Sequence, residues 1–297
     1  MKTALIIGSA GFIGRHLLPA LRESGWKTTV IDPCANGWLH EKDAEWIFSA
    51  RFEDWHRELL GGSKIGPAAF DAVVHLAANI ESIDRRTAGG AEQFADCELD
   101  LAVMRYLGQY PPKVYVHMSS CAVSYPEPTD PYCAVKMFGE AIARHVCKKA
   151  GIRLVLLRPF SGYGADQADS YPFPAILKRA LNREDPLTVW GDGFQARDLV
   201  HVDDIVRAIL HGIEGGFPDG VPVEIGTGRQ TMMGTLAVMM ADAVGYNPRI
   251  FADNSKPNGA PTRVMTSDVA AQSGFRADVA LEEGIERTIR ELEHKGA

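Results

Sequence analysis

The sequence predicts an α/β fold: a doubly wound parallel sheet with a smaller, partly interleaved C-terminal α/β part. Three observations carry that prediction. Short apolar runs recur along the first half of the chain, periodic segments of helical length separate them, and after Pro159 the rhythm gives way to loops rich in Gly, Pro and aromatic residues. A strand buried on both faces of a parallel sheet loses the polar alternation of a half-exposed one, and it needs a crossover to reach its neighbour. The 297 residues, 46% of them apolar, can bury a core of the size at which cores begin to divide.

The first run, TALIIG (Thr3 to Gly8), reads as a strand, and GSAGFIG then opens a helix reaching about Ser24. KTTVID (Lys27 to Asp32), AVVHLAA (Ala72 to Ala78), KVYVHMSS (Lys113 to Ser120) and RLVLLRP (Arg153 to Pro159) are the following strands. Asp130-Pro131 marks a helix start, with Asp as the cap and Pro at the first helical position, and Gly151 stops that helix after Lys148 and Lys149. Beyond Pro159 come SGYGADQADSYPFP, LTVWGDGFQARDLVHVDDIVRAIL and VPVEIGTG, then helical stretches near Leu236 to Val244 and Leu281 to His294. In HVDDIV the expected helix cap is Asp203 or Asp204. The expected division is a dinucleotide-binding domain of residues 1–158, completed by about 197–225, and a substrate-binding domain made of 159–196 and 226–297.

Composition narrows the function. A formal charge of −7 and a pI near 5.7, without clustered Lys and Arg, argue against binding nucleic acid. Cys34, Cys97, Cys121, Cys133 and Cys147 are odd in number and lack C-x-x-C spacing, so neither a disulfide framework nor a zinc site is indicated, and no metal is expected. A reducing cytoplasm fits this usage. Glycines interrupt the N-terminal apolar run and no stretch has the length of a membrane span, so neither a targeting signal nor membrane association is expected.

Gly8, Gly11 and Gly14 follow the first strand directly and open a helix, which lets a pyrophosphate approach the N–H groups of the helix N-terminus. Phe12 and Ile13 belong to the same turn. Eighteen residues after Gly14, Asp32 ends the second strand, where a carboxylate accepts hydrogen bonds from both hydroxyls of an adenosine ribose and repels a 2′-phosphate. This is the Rossmann arrangement, and it favours NAD over NADP.

Tyr132 and Lys136 lie one turn apart on one helix face, where an ammonium stabilises a phenolate suited to general-base work. The preceding strand ends in Ser119-Ser120, whose hydroxyl can bond the same substrate oxygen. Together with the dinucleotide loop, the pattern reads as a hydride-transfer site.

With these pieces in place the chain resembles the extended short-chain dehydrogenase/reductases of the nucleotide-sugar epimerase/dehydratase group. The matching motifs are GSAGFIG, Asp32, HLAA (His75 to Ala78), SSCAV, YCAVK, RPFSGYG (Arg158 to Gly164), GDGFQARDLVHVDDIV (Gly191 to Val206), IGTG (Ile225 to Gly228) and SKPNGAPTRVMTSD (Ser255 to Asp268), in the family's order over almost the whole chain. The resemblance implies Tyr132 as acid/base, Lys136 also holding the nicotinamide ribose, and Leu76, Ala77, Ala78 and Pro159 lining the cofactor. Ungapped counting gives Ser120 the assisting hydroxyl; aligning on Tyr125 and Pro126 moves it to Ser119 or replaces it with Cys121. His75 reads as structural. A nucleoside diphosphate sugar is the implied partner, with Arg197 and Arg263 on the diphosphate and Ser161 and Tyr171 at the substrate. A homodimer built on the Tyr-Lys helix, through Phe138, Ile142 and His145, is also implied.

Three departures from the family pattern matter. Cys121 and Ala122 stand where the 4,6-dehydratases carry an Asp-Glu pair. SSC with YP and KPNG resembles the fucose-synthase branch, so Cys121 is a candidate proton carrier, yet Tyr171 falls at that branch's histidine. Only eleven positions separate Cys121 from Tyr132, a short connection that suggests a more open sugar site. The leading expectation is NAD-dependent C4 epimerisation. Dehydration or C3/C5 epimerisation through Cys121 or Tyr171 is the alternative, and a catalytically silent dinucleotide-binding regulator is the alternative of another class.

Overall fold

The computed structural model describes residues 1–35, 44–60, 69–79, 94–125, 130–256, 258 and 262–296. Its main sheet has seven strands, all parallel: β1 (Thr3–Ile7), β2 (Lys27–Ile31), β3 (Trp46–Phe48), β4 (Ala72–His75), β5 (Val114–Met118), β6 (Arg153–Pro159) and the later strand Pro222–Ile225. From edge to edge the order is Pro222–Ile225, β6, β5, β4, β1, β2, β3. Winding outward in both directions from β1 and β4 makes a switch point there, and the crevice at the strands' C-terminal ends is where such sheets take ligands. The doubly wound fold expected from the sequence is observed.

Helices α1 (Phe12–Glu23), α2 (Phe52–Leu60), α3 (Phe94–Gln109) and α4 (Pro131–Ala150) cover this sheet. The side-chain period of two divides each strand between the faces. Ala4 and Ile6 of β1 pack with Leu17, Leu18 and Leu21 of α1 and with Ile205 and Ile209, while Leu5 and Ile7 pack with Trp55 of α2 and Val103, Tyr106 and Leu107 of α3. Both layers exclude water, so the strands lack polar alternation. As expected, α4 begins at the cap Asp130, whose carboxylate accepts from Tyr132 N–H at 3.0 Å, and ends at Gly151 with φ +67°.

The remaining strands are short: β7 (Ser161–Tyr163), β8 (Leu187–Trp190), β9 (Ala196–Arg197), β10 (Leu199–His201), β11 (Pro222–Ile225, the edge strand above), β12 (Thr231–Met232), β13 (Ile250–Asp253) and β14 (Thr262–Arg263). They form the sheets β10–β7, β12–β9–β14 and β13–β8. Helices α5 (Pro172–Leu181), α6 (Val202–Ile213), α7 (Met233–Val244), α8 (Val269–Gln272) and α9 (Leu281–Gly296) complete the described elements. A third core gathers Phe173, Ile176, Leu177, Leu187, Val189, Leu236, Met240 and Ile285.

Two local expectations are corrected. The cap of α6 is His201, whose Nδ1 accepts from Asp203 N–H at 3.3 Å, because the helix starts at Val202, ahead of both acids. Asp204 instead lies fully buried in the first turn and accepts from the N–H groups of Asp278 and Val279. Strand β4 stops at His75: the N–H groups of Leu76 and Ala77 both turn to Ile7 O, so HLAA leaves the ladder at the switch point.

Candidate functional site

One cleft of about 2400 Å³ runs along the C-terminal edge of the main sheet and under β9 and β14. Every candidate named from the sequence lines it: Gly8, Gly11, Phe12, Ile13, Gly14, Asp32, Leu76, Ala77, Ala78, Ser120, Cys121, Tyr132, Lys136, Pro159, Ser161, Tyr171, Arg197 and Arg263.

At the dinucleotide end the glycines have steric work. A Cβ on Gly8 would stand 2.5 Å from Ala77 N, and φ there is +88°; a Cβ on Gly14 would stand 2.5 Å from Ser9 O. The loop after β1 therefore seats directly against the chain leaving β4. Gly11 caps α1 without a side-chain hydrogen bond, which leaves the first-turn amides to an anion. Asp32, 8% exposed, accepts from Ala10 N–H at 2.9 Å on one oxygen and Cys34 N–H at 2.8 Å on the other. Each oxygen keeps a further lone pair for a ribose hydroxyl, while the charge opposes a 2′-phosphate. The residues present thus fit NAD.

Tyr132 and Lys136 occupy the first turns of α4. Lys136, 8% exposed, places Nζ 5.8 Å from the centre of the Tyr132 ring and donates to Met118 O at 3.1 Å. The three candidates for the assisting hydroxyl separate. Ser119 Oγ donates to Glu140 Oε1 at 2.6 Å, a carboxylate also gripped by Arg158 at 2.7 Å through both Nε and Nη2. Those partners hold the Glu140 carboxyl below its ordinary range against the opposing effect of burial. Ser120 Oγ accepts Ala122 N–H at 3.2 Å and caps a single 3-10 turn, Cys121–Val123. Cys121 is 7% exposed, and burial pushes its thiol up although Arg263, Ser120 and Arg197 pull the other way.

Arg197 and Arg263 are register partners on the parallel strands β9 and β14, so two guanidinium groups stand side by side over the cleft. Burial pushes the Arg197 guanidinium down, and the like charge of Arg263 adds to that push. Side-by-side cations of this kind are a receptor for an anion.

Three further residues hold the site in ways the sequence did not indicate. Asp198, fully buried, accepts from Thr227 N–H and Oγ1, Gly228 N–H and Met265 N–H, fastening the loop after β11 and the chain after β14 to the strand bearing Arg197. Tyr125 donates its hydroxyl to Val264 O, tying the short connection after the 3-10 turn to β14; residues 126–129 of that connection lie outside the described residues. Asp96 on α3 lines the cleft at 5% exposure. A lone acid in ARD or FADCELD carries no periodic signal, so only spatial neighbours reveal these roles.

Comparison with known proteins places this geometry. Residues 4–226 match the model of the NAD dependent epimerase/dehydratase family. Over 320 aligned positions the chain is 26% identical to a dTDP-4-dehydro-6-deoxy-D-allose reductase of Streptomyces bikiniensis, covering 99% of this chain and 97% of the relative. Its fold is shared with the UDP-glucose 4-epimerase of Thermotoga maritima, solved with UDP-glucose (TM-score 0.87, 23% identity, 99% and 100% of the two chains). It is also shared with a UDP-glucuronic acid 4-epimerase of Bacillus cereus, solved with UDP-glucuronic acid and NAD (TM-score 0.83, 23% identity, 99% of each chain).

Proposed function

The chain belongs to the NAD dependent epimerase/dehydratase family, and on that premise we propose that it is a nucleotide-sugar epimerase acting at C4 of a nucleoside diphosphate hexose. The observation that carries the reading is the paired Arg197 and Arg263 facing the same cleft as Tyr132 and Lys136, so that an anion anchor and a proton-transfer group serve one bound molecule. The likeness in fold to 4-epimerases supports it.

NAD, when bound, supplies the acceptor and donor of the C4 hydride. Gly8, Gly11, Phe12, Ile13 and Gly14 would hold its pyrophosphate, Asp32 its adenosine ribose, and Leu76, Ala77, Ala78, Pro159 and Lys136 the nicotinamide half. The Tyr132 phenolate takes the proton of the C4 hydroxyl and returns it once the 4-keto sugar has presented its other face. Ser120 bonds the same oxygen, while Ser161 and Tyr171 contact the sugar. Arg197 and Arg263 keep the diphosphate fixed while the sugar turns, so the ketone does not escape.

A second reading is favoured by Cys121, which lies within the electrostatic reach of both arginines at the sugar end of the cleft. There the 4-ketone acidifies C3–H or C5–H, and Cys121 moves that proton. The raised thiol suits a proton donor better than a resting base. The outermost apolar side chains of α3 and α4, Phe94, Leu101 and Met137, are 56%, 39% and 48% exposed, and we assign the homodimer contact to this pair of helices; Ile142 packs inward against the core instead. We assign the protein to a reducing cytoplasm on its cysteine usage, five in number and without C-x-x-C spacing.

Incubation with UDP-, dTDP-, GDP- and CDP-sugars in D2O, followed by NMR with and without added NAD, tests the reading. The expected outcome is a 4-epimer without solvent deuterium, abolished in Tyr132→Phe. Deuterium at C3 or C5 would favour the second reading, and turnover retained in Tyr132→Phe would refute both.

A further inference from the structure

Behind Tyr132 and Lys136 lies a group of buried ionisable side chains. Asp96 and Asp100 stand one turn apart on α3, each 5% exposed. Asp96 accepts from Asn79, at 2.9 and 3.0 Å from its N–H and 2.7 Å from its side-chain amide. Asp100 Oδ1 lies 2.9 Å from His75 Nε2. On β5, Tyr115 OH and His117 Nδ1 lie within hydrogen-bond distance at 3.1 Å, and burial pushes the Tyr115 phenol well up, so the hydroxyl keeps its proton. His117 Nε2 has no hydrogen-bond partner among the described residues.

The cluster reaches the Tyr-Lys helix through Gly139, one turn beyond Lys136. A Cβ there would stand 2.5 Å from Asp100 Oδ2 and 2.9 Å from His117 Nε2. The missing side chain lets these two polar atoms press against the helix that carries Lys136. Lys136 is itself nearly buried and, among the described residues, its ammonium donates to one neutral acceptor, Met118 O. A single carbonyl does not offset the desolvation of an ammonium, so countercharge must come from further away. The attraction of Lys136 is felt at both Asp96 and Asp100, although neither acid forms a direct ion pair with it among the described residues.

We propose that Asp96 and Asp100 are positioning residues acting through Lys136: their joint negative charge holds the ammonium under Tyr132 and sets the pH at which the phenol ionises. The proposal rests on the reading of Tyr132 as the acid/base. Other ionisable groups face the pair from each packed element. From the sheet, His117 is kept neutral at ordinary pH because burial pushes it down to about 4, and His75 is engaged by Asp100. Farther along α4, Glu140 is matched by Arg158, and on α3 burial pushes the Cys97 thiol up, keeping it protonated. Burial pushes the Asp96 carboxyl up against the pull of Asn79 and Lys136, whereas against the same burial the His75 hydrogen bond and the charge of Lys136 help to hold the Asp100 carboxyl down, so Asp100 is the firmer charge of the two.

The sign follows from Coulomb's law. Asp100→Asn or Asp96→Asn leaves the ammonium less compensated and the potential at Tyr132 more positive, so the phenolate forms at lower pH. The test is a titration of 13Cζ-tyrosine-labelled protein by NMR, with the Tyr132 resonance assigned through Tyr132→Phe and folding checked by circular dichroism. The expected midpoint falls by about half a pH unit or more in each Asn variant and returns to the wild-type value in Asp100→Glu. An unchanged or raised midpoint in a folded Asn variant overturns the proposal. Asp96→Asn carries the test if Asp100→Asn does not fold. No nucleotide sugar enters the titration, so its result is independent of whether the protein epimerises at C4.

Discussion

Asp198→Asn probes how the two arginines are held in place. The carboxylate is fully buried and serves four donors: Oδ1 accepts Thr227 N–H at 2.8 Å and Thr227 Oγ1 at 2.7 Å, while Oδ2 accepts Gly228 N–H at 2.9 Å and Met265 N–H at 3.1 Å. Asparagine retains one accepting oxygen. Its less costly orientation turns the NH2 toward Thr227, whose hydroxyl can rotate and accept, and this leaves the Thr227 amide without a partner. An orphaned buried amide costs about 1–3 kcal/mol, and the bonds that remain lose the strengthening of a charged acceptor, so the total is roughly 2–4 kcal/mol. Urea unfolding should show that loss, with Tm lower by roughly 5–10 °C. Because the same carboxylate fastens the chain segments adjoining Arg197 and Arg263, UDP affinity measured by calorimetry should fall as well. A variant within about 1 kcal/mol of wild type, binding UDP unchanged, would refute the reasoning.

Arg263→Met removes one of two adjacent cations, so UDP binding should weaken roughly 10- to 100-fold while urea unfolding shows equal or greater stability; a destabilised variant with intact UDP binding would contradict the anion-receptor role. Gly8→Ala forces a Cβ to 2.5 Å from Ala77 N at φ +88°, and should cost about 1–3 kcal/mol together with NAD affinity, read by urea unfolding and by calorimetric titration with NAD. His117, pushed down by burial from 6.5 to about 4, stays neutral in the folded protein while the unfolded chain takes up its proton below 6.5. Stability should therefore fall as pH drops from 6.5 toward 4, by an amount on the order of 3 kcal/mol at the lower end. His117→Gln should flatten that limb in urea unfolding measured at several pH values, and an unaltered slope would count against a buried neutral imidazole.

The strands were legible wherever burial on both faces imposed continuous apolar runs, as in Leu5 to Ile7 and Leu154 to Leu157. The start and stop of α4 were legible because Asp130, Pro131 and Gly151 act through local backbone geometry. Where several acids competed, local reasoning failed: the cap of α6 went to His201 because Asp204 serves the distant amides of Asp278 and Val279. The 3-residue edge strand β3 and the 2-residue strands β9 and β14 are too short for any period to register. Their existence depends on partners far away in the chain.

The candidate site divides along the same line. Gly8, Gly11, Gly14, Asp32, Tyr132 and Lys136 stand at separations that a single turn or one strand-helix unit spans, so their spacing alone marks them as candidates. Cys121, Ser119 and Ser120 are adjacent in sequence, and only their surroundings tell them apart: Glu140 engages Ser119, the 3-10 turn engages Ser120, and Arg197 and Arg263 stand near Cys121. Likewise Asp96, Asp100, Asp198 and Gly139 are unremarkable letters until the fold brings buried charges, amides and rings against them. A motif records chemistry that neighbours in sequence can perform together. Electrostatic compensation is decided by whatever lies across a few ångströms of low dielectric, and only the tertiary structure sets that distance.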